Sequence, residues 1–217
     1  MLKTSFFIKI AAAFLMIIDH LGLMFNLNVL HYPGRYSFPL FAYLITQGFQ
    51  RTSNPTKYME RLLKLAVFTQ PLYLLFHYAA TGQVYGQNVL FLFLLSGFIL
   101  ASNYKPQAIV FVLSVLSLSL FGYGFYIEYS FYGLGVILLI DRYRYWKFKK
   151  LYWWCLWSVL HALTIPLYPL QWSAVFFPLF LPYLDSISAQ GIKARWFYWV
   201  YPLHFLILWL GLTIHRL

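Results

Sequence analysis

The stretch 6-FFIKIAAAFLMIIDHLGLMFN-26 decides how this chain is read. It is apolar for about the 20 residues that a helix needs to cross a bilayer. It also carries Lys9 near its start, and Asp19 and His20 near its end. Lys3 and Lys9 ahead of an apolar run would also suit a signal peptide. Asp19 and His20 interrupt that run, however, and no small-residue cleavage site follows, so the stretch is read as a retained first helix.

Working outward, apolar runs of similar length recur along the chain. They place spans at 6–26, 36–50, 60–79, 88–103, 107–122, 128–145, 151–167, 171–185 and 196–213. The expected fold is an all-α polytopic transmembrane bundle of nine spans, with eight as the fallback. The weak span is 171–185, which is short and holds Pro178 and Pro182. A broken or re-entrant segment is tolerated there if protein shields it. Composition agrees: of 217 residues 62% are hydrophobic and 10% charged, whereas a soluble domain carries about 25% charged residues. No internal repeat or linker is visible, so 1–217 reads as one domain without the inverted-repeat signature of many transporters.

Charge sets the expected orientation. The net charge is +11, from 16 Lys and Arg against five acids. In the nine-span layout only Arg35 and Arg216 fall on the side opposite the amino terminus, leaving 16 − 2 = 14 on the amino-terminal side. The positive-inside rule then puts the amino terminus in the cytoplasm and the carboxyl terminus outside. The basic residues lie between apolar runs, which argues against nucleic acid as a partner and for the lipid bilayer. The single Cys155 allows neither an internal disulfide nor a cysteine metal site, and no metal is expected.

The informative residues are the ionisable ones inside spans, because a charge at the bilayer centre costs at least about 2.5–3.5 kcal/mol. Asp19 and His20 lie in the outer half of the first span. Neighbours in a helix do not face each other, so the expected partner of Asp19 is Arg35, reached across a short loop. The last span lies in 195-RWFYWVYPLHFLILWLG-211. His204 lies nine residues past Arg195 there, roughly 13 Å into the membrane, with Tyr201 on the same face. A structural ion pair and hydrogen-bonded core histidines are the plain alternative to a site. Asn88 opens the fourth span as either an N-cap or a substrate contact. Glu128 opens the sixth as either a helix-end acid or a site residue. Gln70, before Pro71, either bonds a neighbouring helix or faces substrate. His77 and His161 are expected at the interface, and His31 and His215 receive no role. The loops 51-RTSNPTKYMERLLK-64 and 142-RYRYWKFKK-150 are the densest basic stretches. The positive-inside rule explains them, and Lys57, Arg61, Arg142 and Arg144 also suit the phosphates of coenzyme A.

Read in order, IIDHLGLMF, GRYSFPLFAYLITQGFQRTSNPTKYMERLLKL, TQPLY, NVLFLFLLSG, YGLGVILLI and FYWVYPLHFLIL resemble the TraX family of bacterial membrane proteins, over about residues 9 to 210. The resemblance implies kinship with transmembrane acyltransferases that carry acetyl groups from cytosolic acetyl-CoA to acceptors at or across the membrane. The namesake is associated with N-terminal acetylation of conjugative pilin. It implies a multi-pass protein of the bacterial cytoplasmic membrane. The family pattern includes Asp19, His20, Gly34, Arg35, Phe38, Pro39, Gly48, Tyr58, Arg61, Asn88, Gly133, Gly135, Tyr201, Pro202 and His204. The family also tends to group an acid, an aromatic and a glycine around the sixth span, whereas here Glu128 and Tyr129 stand apart from Gly133.

The expected activity is therefore acyl transfer, acetyl first, from acyl-CoA to an amine or hydroxyl on an acceptor protein or glycan. His20 and His204 are the expected proton carriers, because imidazole titrates near working pH. Arg35, paired with Asp19, and Asn88 would stabilise developing charge. Glu128, Tyr201 and Gln70 are expected at the substrate. A proton-coupled transporter would also use intramembrane Asp and His. A non-catalytic scaffold for a membrane assembly would tolerate apolar replacement of both histidines.

Overall fold

A computed structural model describes residues 5–83, 86–121, 125–143, 150–166, 169–187 and 197–215. These residues are almost wholly helical: α1 Ser5–Phe25, α2 Asn28–Gly34, α3 Ser37–Arg51, α4 Pro55–Thr81, α5 Val89–Ala101, α6 Pro106–Phe121, α7 Ser130–Arg142, α8 Lys150–Thr164, a 3₁₀ segment Pro169–Leu179, α9 Leu181–Ile187 and α10 Phe197–His215. The only extended pairing among them is an isolated bridge between Gln87 and Ile127.

Helix occupies each of the nine expected spans, but helix is not the same as a crossing. Two helices, Phe6–Phe25 and Phe197–Ile214, are long and apolar enough to span a membrane, and only 28% of each window is buried in the bundle. Val89–Ala101 and Pro106–Phe121 are apolar but shorter. At 1.5 Å per residue a 13-residue helix such as α5 covers about 20 Å, short of a hydrocarbon core of about 30 Å. The described residues therefore form an all-helical fold with two span-length apolar helices, and the nine-crossing expectation goes beyond it. The doubtful stretch 171–185 is broken, with the 3₁₀ segment giving way to α9 at Phe180.

Local chemistry sets the element ends. Asn54 caps α4 by accepting from Lys57 N at 2.9 Å, with Pro55 in the first turn. The helix ends on Gly82, whose φ of 73° suits glycine. Helices α1, α3, α4, α5, α7 and α10 enclose the core, with Phe38, Tyr73, Phe76, Phe93 and Phe205 buried at its centre. The end of the bundle at which α1 begins is called proximal below, and the end at which it finishes is called distal. At the proximal end, Gln50 Nε2 of α3 donates to Asp141 Oδ1 of α7 at 2.9 Å, and Tyr104 Oη donates to Asp141 Oδ2 at 2.6 Å.

Candidate functional site

The site grows from the turn between α1 and α2. Leu27 N donates to Gly22 O at 2.8 Å, which folds α2 back along α1. That brings His31 Nδ1 to Asp19 Oδ1 at 2.9 Å, and Arg35 Nη1 to Asp19 Oδ2 at 3.5 Å. A carboxylate only accepts, so His31 donates. Gly34 makes the approach possible, because a Cβ there would stand 2.5 Å from the Asp19 carboxylate. Arg35 also interacts with Tyr129. Burial disfavours its charge, but Tyr129 and Asp19 more than offset this and raise its pKa. His31, given no role on sequence, is thus a direct partner of Asp19. It lies on a short helix outside the apolar runs, where hydropathy gives no signal.

His20 Nδ1 bonds Met16 O at 2.8 Å, and His204 Nδ1 bonds Val200 O at 3.2 Å. Carbonyls only accept, so in each neutral ring Nδ1 carries the proton and Nε2 keeps its lone pair. The rings meet edge to face with centroids 5.1 Å apart, and the ring of His77, on α4, has its centroid 6.0 Å from that of His20. His204 Nε2 is buried and has no hydrogen-bond partner among the described residues.

A cavity of about 40 Å³ lies beside this cluster, lined in part by Asp19, His20, Ser37, Glu128, Tyr129 and Tyr201. His20 and His204 were expected as the two proton carriers. Among the described residues His20 lines this cavity and His204 does not, because Tyr201, one turn earlier on α10, takes the lining position. Glu128 reaches the wall through a loop fixed by Glu128 N donating to Gln87 O at 3.0 Å. Tyr129 stacks on Phe38 with centroids 4.2 Å apart. Gly133 follows one turn later, and a Cβ there would stand 2.7 Å from Tyr129 Cβ. The helical turn therefore brings Gly133 against Tyr129, the aromatic next to Glu128, from which it stands apart in sequence.

A larger cavity of about 240 Å³ opens toward the proximal end. Its walls are mostly apolar, with Lys9 and Tyr58 among its few polar side chains. It shares Phe41, Phe93 and Tyr201 with the small cavity, so these three residues form the partition between them. Lys9 was not singled out on sequence. The available signal was its position eleven residues before His20, close to three full turns and hence on the same face.

The remaining expected residues lie elsewhere. Asn88 caps α5 by accepting from Leu90 N at 3.0 Å, and its two amide protons go to Ala66 O at 3.0 Å and Gln70 Oε1 at 2.8 Å. Gln70 Nε2 donates to Gly86 O at 2.9 Å. Together they tie α4 to the start of α5, and neither lines the two cavities. Lys57 and Arg61 are exposed at the proximal end, with Arg61 5.7 Å from the Tyr58 ring centre. Arg142 stands 3.7 Å from the centre of the Tyr104 ring, and Arg144 lies outside the described residues. Burial, then the bond to Asp141, raise the Tyr104 pKa and keep its hydroxyl a donor. His77 and His161 were expected at the interface, and both are buried. His161 Nδ1 donates to Trp157 O at 2.9 Å, so its Nε2 accepts from Tyr132 Oη at 3.1 Å.

Comparison with known proteins adds two findings. A family model described as TraX protein matches residues 5–211. Over 76 residues the chain is 33% identical to a probable fimbrial assembly protein FimC, serogroup H1, of Dichelobacter nodosus, covering 32% of this chain and 31% of that protein. The match thus spans about a third of the relative's length. No solved structure matches.

Proposed function

From the premise that the chain belongs to the TraX family, we propose that it is a membrane-embedded acyltransferase that uses cytosolic acyl-CoA, acetyl-CoA first. The observation that carries this reading is the junction of two unlike cavities at Phe41, Phe93 and Tyr201. In this reading the bundle lies in the bacterial cytoplasmic membrane with its proximal end inside, an orientation favoured by the basic residues that gather on the amino-terminal side of the expected spans. Acyl-CoA approaches that end, where Lys9, Lys57, Arg61 and Arg142 attract its phosphates. Its pantetheine arm occupies the apolar cavity of about 240 Å³. The thioester passes the aromatic partition into the space of about 40 Å³, which suits a group of few heavy atoms.

The acceptor, an amine or hydroxyl on a protein or glycan, enters from the distal side. His20 Nε2 takes its proton as the nucleophile attacks the thioester carbon. The C–S bond breaks with its electrons on sulfur, and the thiolate takes up a proton. The Tyr129 hydroxyl, polarised by Arg35, donates to the developing oxyanion. Asp19, bonded to both His31 and Arg35, holds that arrangement in place. The partial likeness to a fimbrial assembly protein favours an acceptor in a surface fibre, a pilin amino terminus being the first candidate.

The test incubates purified protein with labelled acetyl-CoA and membrane extract. Label transferred to a protein or glycan, and lost with His20→Gln, supports the reading. No transfer, together with surface-fibre assembly that tolerates His20→Phe, would support a scaffold instead.

A further inference from the structure

The apolar cavity of about 240 Å³ is too short for a whole acyl-CoA. Along α3 its lining runs from Phe41 at the partition to Gly48 near the proximal end. Seven residues of helix cover about 10 Å, less than the extended phosphopantetheine arm of coenzyme A. The nucleotide beyond that arm must therefore lie outside the cavity. A groove of about 550 Å³ adjoins it, and the two share Leu65 and Tyr198. The groove opens to the surface between α4 and α10, lined by Arg61, Lys64, Leu65, Phe68, Tyr198 and Trp199. Trp199 is 57% exposed and Phe68 54%, with ring centroids 5.8 Å apart and planes nearly perpendicular. The cations stand nearer the start of α4. Arg61 Nε donates to Lys57 O at 3.2 Å, and Lys64 Nζ donates to Glu60 Oε1 at 2.6 Å. Lys64 and Glu60 are both exposed, so that pair is weak and readily exchanged for another anion.

Resting on the acyltransferase reading, we propose that this groove holds the nucleotide end of the acyl donor, its adenine on Trp199 and its 3′-phosphate between Arg61 and Lys64. A purine is flat and stacks on aromatic faces, and Trp199 leaves more than half of its surface uncovered. A phosphate takes charge-assisted hydrogen bonds from guanidinium and ammonium groups. Arg61 and Lys64 present both, three residues apart and hence on one face of α4. The diphosphate between adenine and arm falls at the shared rim beside Tyr198. Lys9 lines the cavity close by, 6.0 Å from the centre of the Phe197 ring. Membrane lipid is the plain occupant of such a groove, because aromatic and basic residues gather at membrane interfaces. Continuity with the apolar cavity favours the nucleotide, since one molecule has to occupy both spaces. The groove then selects the acyl carrier by its nucleotide, and the acyl group itself is left to the small cavity.

The test uses the full chain in lipid nanodiscs with three donors and one photoprobe. The donors are acetyl-CoA, acetyl-dephospho-CoA, which lacks the 3′-phosphate, and acetyl-4′-phosphopantetheine, which lacks the nucleotide. Trp199→Ala should raise the KM for acetyl-CoA about tenfold. It should leave the KM for acetyl-4′-phosphopantetheine, and kcat with both donors, unchanged. Trp199→Phe should recover most of the loss, because a phenyl ring still stacks. Arg61→Gln with Lys64→Gln should erase a preference of a few-fold for acetyl-CoA over acetyl-dephospho-CoA, a size set by their exposure. Light-driven cross-linking of 8-azido-coenzyme A, competed by excess acetyl-CoA, should label residues 61–68 or the first turn of α10. Competed label elsewhere, or equal KM changes for all three donors, overturns the nucleotide site and leaves the groove to lipid. If the wild-type chain transfers nothing yet takes competed label in the groove, the acyltransferase reading falls and the nucleotide site stands.

Discussion

Two carboxylates, one half-buried near the distal end of the bundle and one buried near the proximal end, are satisfied by different means. Asp19, toward the distal end, is held by a histidine at 2.9 Å and an arginine at 3.5 Å. Asp141, at the proximal end, is held by the neutral groups of Gln50 at 2.9 Å and Tyr104 at 2.6 Å, with Arg142 placed over the tyrosine ring. The first arrangement sets fixed charges beside a polar cavity. The second ties together the ends of α3 and α7 and the α5–α6 turn, and lines neither cavity. Neutral donors suffice where a carboxylate has only to join helices. Paired ions, with the extra desolvation that they bring, stand beside the cavity in which the proposed reaction would develop charge.

If that contrast marks chemistry at one end and support at the other, the largest effect should come from His20. His20→Gln keeps much of the side chain's size and hydrogen bonding but removes the base. Transfer should fall by about 10²–10⁴-fold, the range for a lost general base, with acyl-CoA binding retained. His204→Gln should cost less, because Tyr201 rather than His204 lines the cavity. Single-turnover rates with labelled acetyl-CoA would measure both. Near-normal transfer with His20→Gln would remove the distal cavity from the mechanism.

The second effect concerns stability and sharpens the comparison of the two acids. Asp19→Asn leaves Arg35 buried without its carboxylate, and removing one member of such a pair costs about 3–5 kcal/mol. The side chains of Asp19 and Arg35 are 17% and 22% exposed, so the lower end of that range is expected. Tyr104→Phe removes one donor to Asp141 and should cost about 1.5–3 kcal/mol, with transfer unchanged. A double-mutant cycle of Asp19→Asn with Arg35→Gln should give strong coupling. Additive losses would mean that Arg35 is held mainly by Tyr129.

The sequence exposed some of this and hid the rest, for physical reasons. The long helices were readable, because apolar runs broken by Gly, Pro and basic turns mark helices whatever surrounds them, but α2 was not. Crossing was not, since it depends on length and lipid contact, and α5 is only 13 residues long. Asp19, His20 and His204 stood out as ionisable groups inside apolar runs. His31 did not, because α2 is a short helix outside those runs. Lys9 looked like an orientation signal, and only the fold makes it a cavity wall. Asn88 and Gln70 looked like site residues because buried amides draw attention, yet their bonds tie α4 to α5. No residue pattern pointed to two cavities divided by Phe41, Phe93 and Tyr201, because the partition joins three distant helices.

The smallest expected effect concerns the proximal cations. Lys57 and Arg61 sit on the first turns of α4, exposed to solvent. Exposed charges act through a high dielectric and are screened by salt, so each contributes little to binding. Neither lines the apolar cavity of about 240 Å³, where Lys9 does, and Arg61 lines instead a more open groove beside Tyr198 and Trp199. Neutralising Lys57 and Arg61 together should therefore raise the KM for acyl-CoA only a few-fold, leaving kcat and acceptor KM unchanged. The increase should shrink as salt rises, because screening already weakens what the mutations remove. Lys9→Met should raise the same KM more and with less salt dependence, since Lys9 is partly shielded in the cavity wall. KM values measured at two ionic strengths separate the two cases. Equal salt dependence for both would place the phosphates outside the cavity mouth. No effect from either would confine the basic residues to setting orientation and move donor binding to another face of the bundle.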